Sequence, residues 1–570
     1  MKRRKFVHIG ALGIGTLAHW NTSYAAKIKE EKPAWLQKII LQNDQDFPRY
    51  EALRITDQKH PFVGGFRDGD DIPNPQTTGY YVLKVACAVI SPESSFYQST
   101  AHVQKAIQAC NCLLNMQHAD GTIDLLSTNF HSPPDTAFSV EKLCVAYALL
   151  QKNNQGNRYS ALMSPLETFL KRCGESLVVG GIHTPNHRWV VSGALAKLYQ
   201  IWPDPRYKAR AEQWLQENID QDPDGQYTEK SAGIYSAIIN KALISVHQVF
   251  NKPALLDVVR KNLEMTLFYV HPNMEVVTDA SNRQDKGGIN MFENYYYGYR
   301  YLALLDKNPR FAAMCRLIEK AYFPRIGTHI ENFLDEPFLW QELPSGNSIP
   351  TNYVKSFPYS GLIRIRRENW DATLLVNNPN FLTFHHGNAI LQGLRLAASF
   401  FGKGQFQSNE IKQVGNAWIL QQKLDGPYFQ PHTKDQIDPS GDWEKMPRSN
   451  RKQSEIQYLE TTVQVKEISG GLMVDIDMKG TDGVPVSLEL IFRGDGQFEG
   501  VIPSGKESNA YLLKESEGKY SLGEDFIRFG PGKAEHKAIH LRGALPFAQA
   551  PSVYITGFTP FSHQLFIRQS

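Results

Sequence analysis

Little in this chain offers a covalent or ionic staple. Its 570 residues include only 6 cysteines. Cys110 and Cys112 stand two apart on a helical stretch and so point in different directions, while Cys87, Cys144, Cys173 and Cys315 sit in apolar helical runs. That pattern excludes a disulfide framework and predicts buried free thiols. Charge of one sign is scarce as well. The formal net charge is +3, and beyond the first few residues no Lys/Arg cluster recurs on one element, which excludes a nucleic-acid footprint. After position 26 no segment approaches the ~18 apolar residues that crossing a bilayer requires. No fixed-period repeat of the tetratricopeptide kind runs through the chain.

What is present is ample material for packing. Apolar residues make up 42% and aromatics 11%, with 25 Tyr and 9 Trp. A chain this long exceeds one small core, so two or more domains are expected. The first 26 residues read as a signal peptide. Lys2-Arg-Arg-Lys5 is a basic start, Phe6 to Trp20 a modestly apolar run, and Ser23-Tyr-Ala25 supplies small residues for cleavage. Arg3-Arg4-Lys5-Phe6 resembles a twin-arginine motif. The expectation is a mature protein in the periplasm or secreted, with no membrane span.

Two textures follow. From about Thr77 to Tyr322 apolar residues recur at three- and four-residue spacing, as in Ala101 to Met116, Thr136 to Leu150, Trp189 to Ile201 and Gly233 to Phe250. Short Gly/Pro/Asp/Asn loops such as Pro203-Asp-Pro205 separate them. Near Arg325 the pattern changes to β-branched and alternating runs, including Gly361-Leu-Ile-Arg-Ile-Arg366, Ala372 to Val376, Leu472 to Met478 and Val486 to Phe492. The fold class predicted is α+β multidomain: an N-terminal (α/α) toroid over 27–325, a connector over 326–349, and a C-terminal antiparallel β-sandwich over 350–570.

Polar side chains that handle protons gather at three places. His183-Thr-Pro-Asn-His-Arg-Trp189 lies where a helix should begin, so Asn186 is either an N-cap or a functional amide. His187, Arg188 and Trp189 beside it are more than a helix start needs. Asp224-Gly-Gln-Tyr-Thr-Glu-Lys-Ser-Ala-Gly-Ile-Tyr235 places Glu229 in a turn and Tyr235 at the head of an apolar helix. Arg366-Arg-Glu-Asn-Trp370 precedes Phe384-His-His-Gly-Asn388, and strand alternation lets only one of His385 and His386 face a given side. Asn282-Arg-Gln-Asp285 and Glu293-Asn-Tyr-Tyr-Tyr-Gly298, followed by Arg300, are less specific, and Tyr297 is one candidate sugar contact. An amide, an imidazole and a phenol together suit removal of a weakly acidic proton from carbon.

The asparagine loop followed by Asp-Gly-x-x-x-Glu-x-Ser-x-x-x-Tyr resembles the heparinase II/III-like polysaccharide lyases and, more loosely, the chondroitin and hyaluronan lyases. That resemblance implies an α/α toroid ahead of a β-sandwich and β-elimination on a uronate-containing glycan. By it, Asn186 would neutralise the uronate carboxylate and Tyr235 would act as Brønsted base and acid. His187 and one of His385 or His386 would share the catalytic set. Asp120-Gly-Thr-Ile-Asp124 and the stretch from Asn129 through His131 to Asp135 look like a second rim loop. Asn129, His131, Arg188, Trp189, Glu229, Tyr297 and Arg300 are the expected substrate contacts, and the partner is an acidic polysaccharide or oligosaccharide. The family's His-x-His-x-x-Asp-like metal run is not reproduced, since Gly387 and Asn388 follow the two histidines. No cofactor is therefore expected, and a structural divalent metal in the β-domain lacks support. Two other classes compete. A toroidal glycoside hydrolase would use a carboxylate pair drawn from Asp124, Asp135 and Glu229, and a glycan-binding protein would need only aromatics.

Overall fold

A computed structural model describes residues 31–494 and 496–570. The expected signal peptide lies outside them. The helical part comprises α1 (Ala34–Ala52), α2 (Pro75–Ile90), α3 (Thr100–Met116), α4 (Pro133–Lys152), α5 (Ser160–Val179), α6 (His187–Ile201), α7 (Pro205–Gln216), α8 (Tyr235–Phe250), α9 (Ala254–Thr266), α10 (Tyr296–Leu305), α11 (Pro309–Tyr322) and α12 (Ile330–Asp335). The sequence explains the layering. Helices α2, α4, α6, α8 and α10 are buried over most of their length, whereas α3, α7, α9 and α11 bury only one stripe. A helix that is apolar all round belongs inside, and an amphipathic one outside. Inner helices α2, α4, α6 and α8 pack side by side in chain order, with α3, α5 and α7 behind them. Each outer helix returns the chain, so the inner helices run the same way and present their N-termini on one rim.

The helical part extends further than expected. Residues 323–335 and 337–340 are helical, and Ile326, Ile330, Phe333 and Leu339 are buried in the helical core. Helix α12 packs on α1, α2 and α4, so the start of the expected connector is part of the ring.

From 352 onward the chain forms two large sheets. The nine-stranded sheet has the order 502–503, 510–512, 552–558, 485–492, 389–398, 382–386, 370–375, 362–367, 352–357, and the other has eight strands. All neighbouring pairs are antiparallel except 510–512 with 552–558. Their facing sides enclose a second core that includes Ile363, Ile365, Trp370, Phe384, Leu420, Val463, Leu488 and Ile567. Strand alternation then turns Arg364, Arg366, Asp371, Thr373, Thr383 and His385 to the opposite face. That face is buried on the helical part. Arg364 and Tyr353 donate to the Phe268 carbonyl, and Arg366 donates to the Val270 carbonyl at 2.7 Å. Among the described residues no helix is long and apolar enough to cross a membrane.

Candidate active site

The rim formed by the N-termini of the inner helices carries both helix-start motifs. Asn186 occupies the N-cap position of α6, but its side chain makes no capping bond and its backbone is helical, with φ −62 and ψ −27. The Nδ2 amide turns instead to Glu229, donating to Oε1 at 2.9 Å and Oε2 at 3.0 Å, and it also reaches Thr184 Oγ1 at 3.2 Å. A simple capping role is thereby excluded. Asn186 and Glu229 are both buried, and Asn186 Oδ1 is left without a partner.

Tyr235 opens α8. Its backbone N–H donates to Ser231 Oγ, and Ser231 Oγ and the Gly233 N–H both donate to the buried Asp285 carboxylate, which supplies negative charge at the positive end of the helix. The loop that delivers Asp285 also delivers Arg283 and Gln284. The Gln284 amide donates to the Tyr235 oxygen at 2.7 Å. The Arg283 guanidinium lies 5.1 Å from the centre of the Tyr235 ring, and its Nε is 3.7 Å from Glu229 Oε2, with no hydrogen-bond partner. Arg283 and Glu229 thus tie Asn186 and Tyr235 into one cluster.

His187 is buried beside this cluster. Its ring meets that of His183 edge-on at 4.7 Å and that of Phe138 at 6.3 Å, and its Nδ1 has no partner. Burial, and then the positive charge of His183 and Arg283, lowers its pKa to about 4, so it is neutral at neutral pH. The Asp224 motif has a second task. Asp224 Oδ2 accepts the backbone N–H groups of Tyr359 and Ser360, and Lys230 Nζ donates to the Ser360 carbonyl, which fastens a hairpin of the nine-stranded sheet to the rim.

The rim loop 120–135 is held by its own polar network. Asp135 accepts from Gln76, Asn129 and Ser132, at 3.1, 2.8 and 2.6 Å. His118 binds Asp124 and His131 binds Asp120, both at 2.8 Å, with the two imidazoles stacked at 3.7 Å. His131 is exposed on the rim, with φ 46.

Several expected substrate contacts are structural instead. Trp189 is fully buried and donates from Nε1 to Asp220, which also pairs with Arg188 at 2.8 Å. Tyr297 is buried and donates to Glu336. Arg300 is buried, donates to the Leu339 and Gln341 carbonyls, and lies 4.5 Å from the Trp35 ring centre. These positions correct the expectation for Trp189, Tyr297 and Arg300: aromatic and guanidinium side chains on an inner helix were read as sugar contacts when they fill the core.

The two histidines of the sheet separate by alternation. His386 points to the strand 525–530, with Nδ1 2.8 Å from the Phe526 carbonyl. His385 lies opposite Asp371 in the strand register and is buried against the helical part, its ring stacked on His271 at 3.8 Å. Among the described contacts neither touches Asn186, His187 or Tyr235. Asp371 accepts from His271 Nδ1 at 2.9 Å and from Arg364 Nη2 at 2.7 Å. Burial alone would raise the Asp371 carboxyl, but Arg364 and His271 overcome it and hold the group below the usual carboxylate range. His271, Asp371 and His385 have ligand atoms within 4.8 Å of one another, close enough for a metal. The charges do not suit one. Arg364 already pairs with Asp371, and a divalent cation would be held beside that guanidinium with Asp371 as its one anionic ligand, at a site whose Asp371 and Arg364 side chains are wholly buried and where Asp279 is a further carboxylate acting on Arg364. The cluster is read as an arginine-centred latch between the two parts of the molecule.

Comparison with known proteins reaches the fold. No family profile matches the sequence, and no curated protein matches it. Among solved structures, heparinase III aligns with a TM-score of 0.54 at 12% identity, covering 95% of this chain and 83% of its own. The chain has the heparinase-like fold. A chondroitin AC lyase of Streptomyces coelicolor A3 aligns with a TM-score of 0.50 at 11% identity, over 93% of this chain and 79% of its own. Both neighbours match the helical and the sheet parts together, in line with the toroid-plus-sandwich expectation. The sequence had marked Asn186, His187, Glu229 and Tyr235, and it contained Arg283 and Gln284 in a polar loop without assigning them a role. What singles these two out is the fold, which carries that loop across Tyr235.

Proposed function

We propose that the protein is a polysaccharide lyase that cleaves uronate-containing glycans by β-elimination. The observation that carries this reading is the environment of Tyr235: a half-buried phenol at the start of an inner helix, its oxygen accepting the Gln284 amide and its ring beside the Arg283 guanidinium.

In this reading the uronate carboxylate binds the exposed end of the Arg283 guanidinium, which has only a long ion pair to Glu229. Charge moving from the breaking C5–H bond onto the carboxylate is stabilised there, and a donor placed where charge develops commonly contributes a few kcal/mol. Tyr235 takes the C5 proton, with Gln284 hydrogen-bonded to its oxygen and Arg283 beside its ring. The C4–O bond breaks as the C4–C5 double bond forms. The electron pair leaves on the glycosidic oxygen, which receives a proton from Tyr235 or a rim histidine. No water is consumed.

Asn186 takes a different part from the one its motif resemblance implies. Its amide protons are committed to Glu229 and Thr184, so it cannot also donate to a substrate carboxylate, and it acts by fixing Glu229 and through it Arg283. His187, neutral and adjacent, is the second proton-handling group. Export to the periplasm or beyond, by way of the basic, Arg-paired leader, belongs to the same proposal and fits a polymeric substrate.

A panel of uronate polysaccharides, incubated with the mature protein, tests it. A conjugated 4,5-unsaturated uronate absorbing in the ultraviolet is the expected product. New reducing ends without that absorbance would establish a hydrolase and overturn the reading.

A further inference from the structure

Inside the rim, between the N-terminal halves of α2, α4 and α8, the ring of helices encloses a cavity of about 210 Å³. Tyr80, Phe138, Ser139, Lys142, Lys241 and His329 are among the residues that line it. Among the described residues half-buried Lys142 makes no hydrogen bond or close ion pair; its ammonium lies 4.6 Å from the centre of the Tyr80 ring, with the Glu331 and Glu141 carboxylates acting on it from farther off. Lys241 is different, held by Glu331 at 3.1 Å and Glu141 at 3.4 Å. The Ser139 hydroxyl is buried with no partner. His329 is buried and faces the Glu293 carbonyl through Nε2 at 2.8 Å, which makes Nε2 the donor and leaves Nδ1 as an acceptor with no donor.

Buried polar groups are almost always satisfied. Here a buried hydroxyl and a buried imidazole lone pair remain open around one space, beside a half-buried ammonium and two aromatic rings. That set offers donors, an acceptor and apolar faces, which is what a sugar ring presents in complement. The Lys142 ammonium, which has no close ion pair, adds a place for an anionic substituent in a space that the Glu141 carboxylate also lines. The cavity also lies beside the candidate active site. Ala237 and Ile238 line it two and three residues beyond Tyr235, and the Phe138 ring meets the His187 ring.

We propose that this cavity is a subsite for one sugar residue bearing an anionic substituent, a carboxylate or a sulfate, with Lys142 receiving the anion and Tyr80 and Phe138 flanking the ring. The proposal rests on the reading of the protein as a lyase of acidic glycans and adds a specificity determinant inside the ring, away from the bond that breaks.

Calorimetric titration of the mature protein with D-glucuronate, N-acetyl-D-glucosamine 6-sulfate and uncharged D-glucose tests it without requiring turnover. At least one anionic sugar is expected to bind about tenfold more tightly than glucose, and which one distinguishes carboxylate from sulfate. Lys142→Met should abolish that preference and Lys142→Arg should keep most of it. The melting temperature of unliganded Lys142→Met should change little, because the ammonium removed made no hydrogen bond or close ion pair. Tyr235→Phe should leave the preference intact. Equal binding of glucose and the anionic sugars, a preference unaffected by Lys142→Met, or no sugar binding at all (a cavity filled by water only) would each overturn the subsite. A Lys142-dependent preference in a protein that yields no unsaturated product would uphold the subsite and overturn the lyase reading alone.

Discussion

Replacing Asp371 by Asn tests whether the two parts of the molecule are latched by an arginine-centred charge cluster. Asp371 and Arg364 are both fully buried. The carboxylate accepts from Arg364 Nη2 at 2.7 Å and from His271 Nδ1 at 2.9 Å, and Arg364 is further held by Thr373 and the Phe268 carbonyl. The asparagine keeps the shape but removes the only negative charge the guanidinium touches. Breaking a buried pair from one side typically costs ~3–5 kcal/mol, because the surviving charge is left desolvated and uncompensated. Against total stabilities of about 5–15 kcal/mol that loss is large. Arg364→Met should cost a similar amount. The double variant removes both charges and should be more stable than the two separate losses predict, with a coupling of roughly 2–3 kcal/mol. Equilibrium unfolding in urea, followed by both helical and aromatic signals, measures all three. A single-variant loss below about 1 kcal/mol, or strict additivity, would refute the latch. The same reasoning predicts that chelator leaves the unfolding midpoint unchanged and that the purified protein carries no stoichiometric metal. A bound ion at His271, Asp371 and His385 would contradict it.

Stability should fall with acid well before the carboxylates titrate. His187 and His329 each have a folded pKa of about 4 against an ordinary 6.5, burial being the first cause in both. Below pH 6.5 the unfolded chain binds protons that the folded protein refuses, so stability declines between about pH 6.5 and 4, by up to roughly 3 kcal/mol for each residue. His329→Gln should flatten part of that slope in thermal melts run across the range, and an unchanged slope would contradict the assignment. Arg283→Met should lower kcat/KM on a uronate glycan by about two to three orders of magnitude with little change in melting temperature, as expected for loss of charge stabilisation in the transition state; near-normal turnover would remove Arg283 from the site. Asn186→Ala should behave otherwise, costing about 1–3 kcal/mol of stability by stripping buried Glu229 of its amide donor, as well as turnover.

The architecture was legible because it rests on periodicity. Inner helices such as α2 and α6 are apolar all round, and strand 362–367 alternates Ile363 and Ile365 with Arg364 and Arg366, so each could be assigned from its own residues. The helix ring's closure was not legible, since residues 326–340 are short helical pieces whose burial depends on α1, α2 and α4. At the site, Asn186, His187 and Tyr235 stood out because each lies at a helix start, and Glu229 because it lies in the turn that leads into one, where local sequence dictates position. Arg283 and Gln284 sit in a loop, and what they touch is decided by Asp285 bonding back to Ser231 and Gly233. Trp189, Tyr297 and Arg300 misled for the complementary reason: residue type alone does not say whether a large polar-tipped side chain faces a cleft or finds its partner in the core.

The central claim is most directly tested with Tyr235→Phe, which removes one oxygen and keeps the ring beside Arg283. Initial rates of unsaturated-product formation on the best uronate glycan, measured alongside thermal melting, give the answer. The account predicts a fall in turnover of at least about two to four orders of magnitude, with stability changed by only about 1 kcal/mol for the single hydrogen bond to Gln284. A Tyr235→Phe enzyme that retains near-normal turnover would contradict it and move the proton-transfer role to a histidine of the rim.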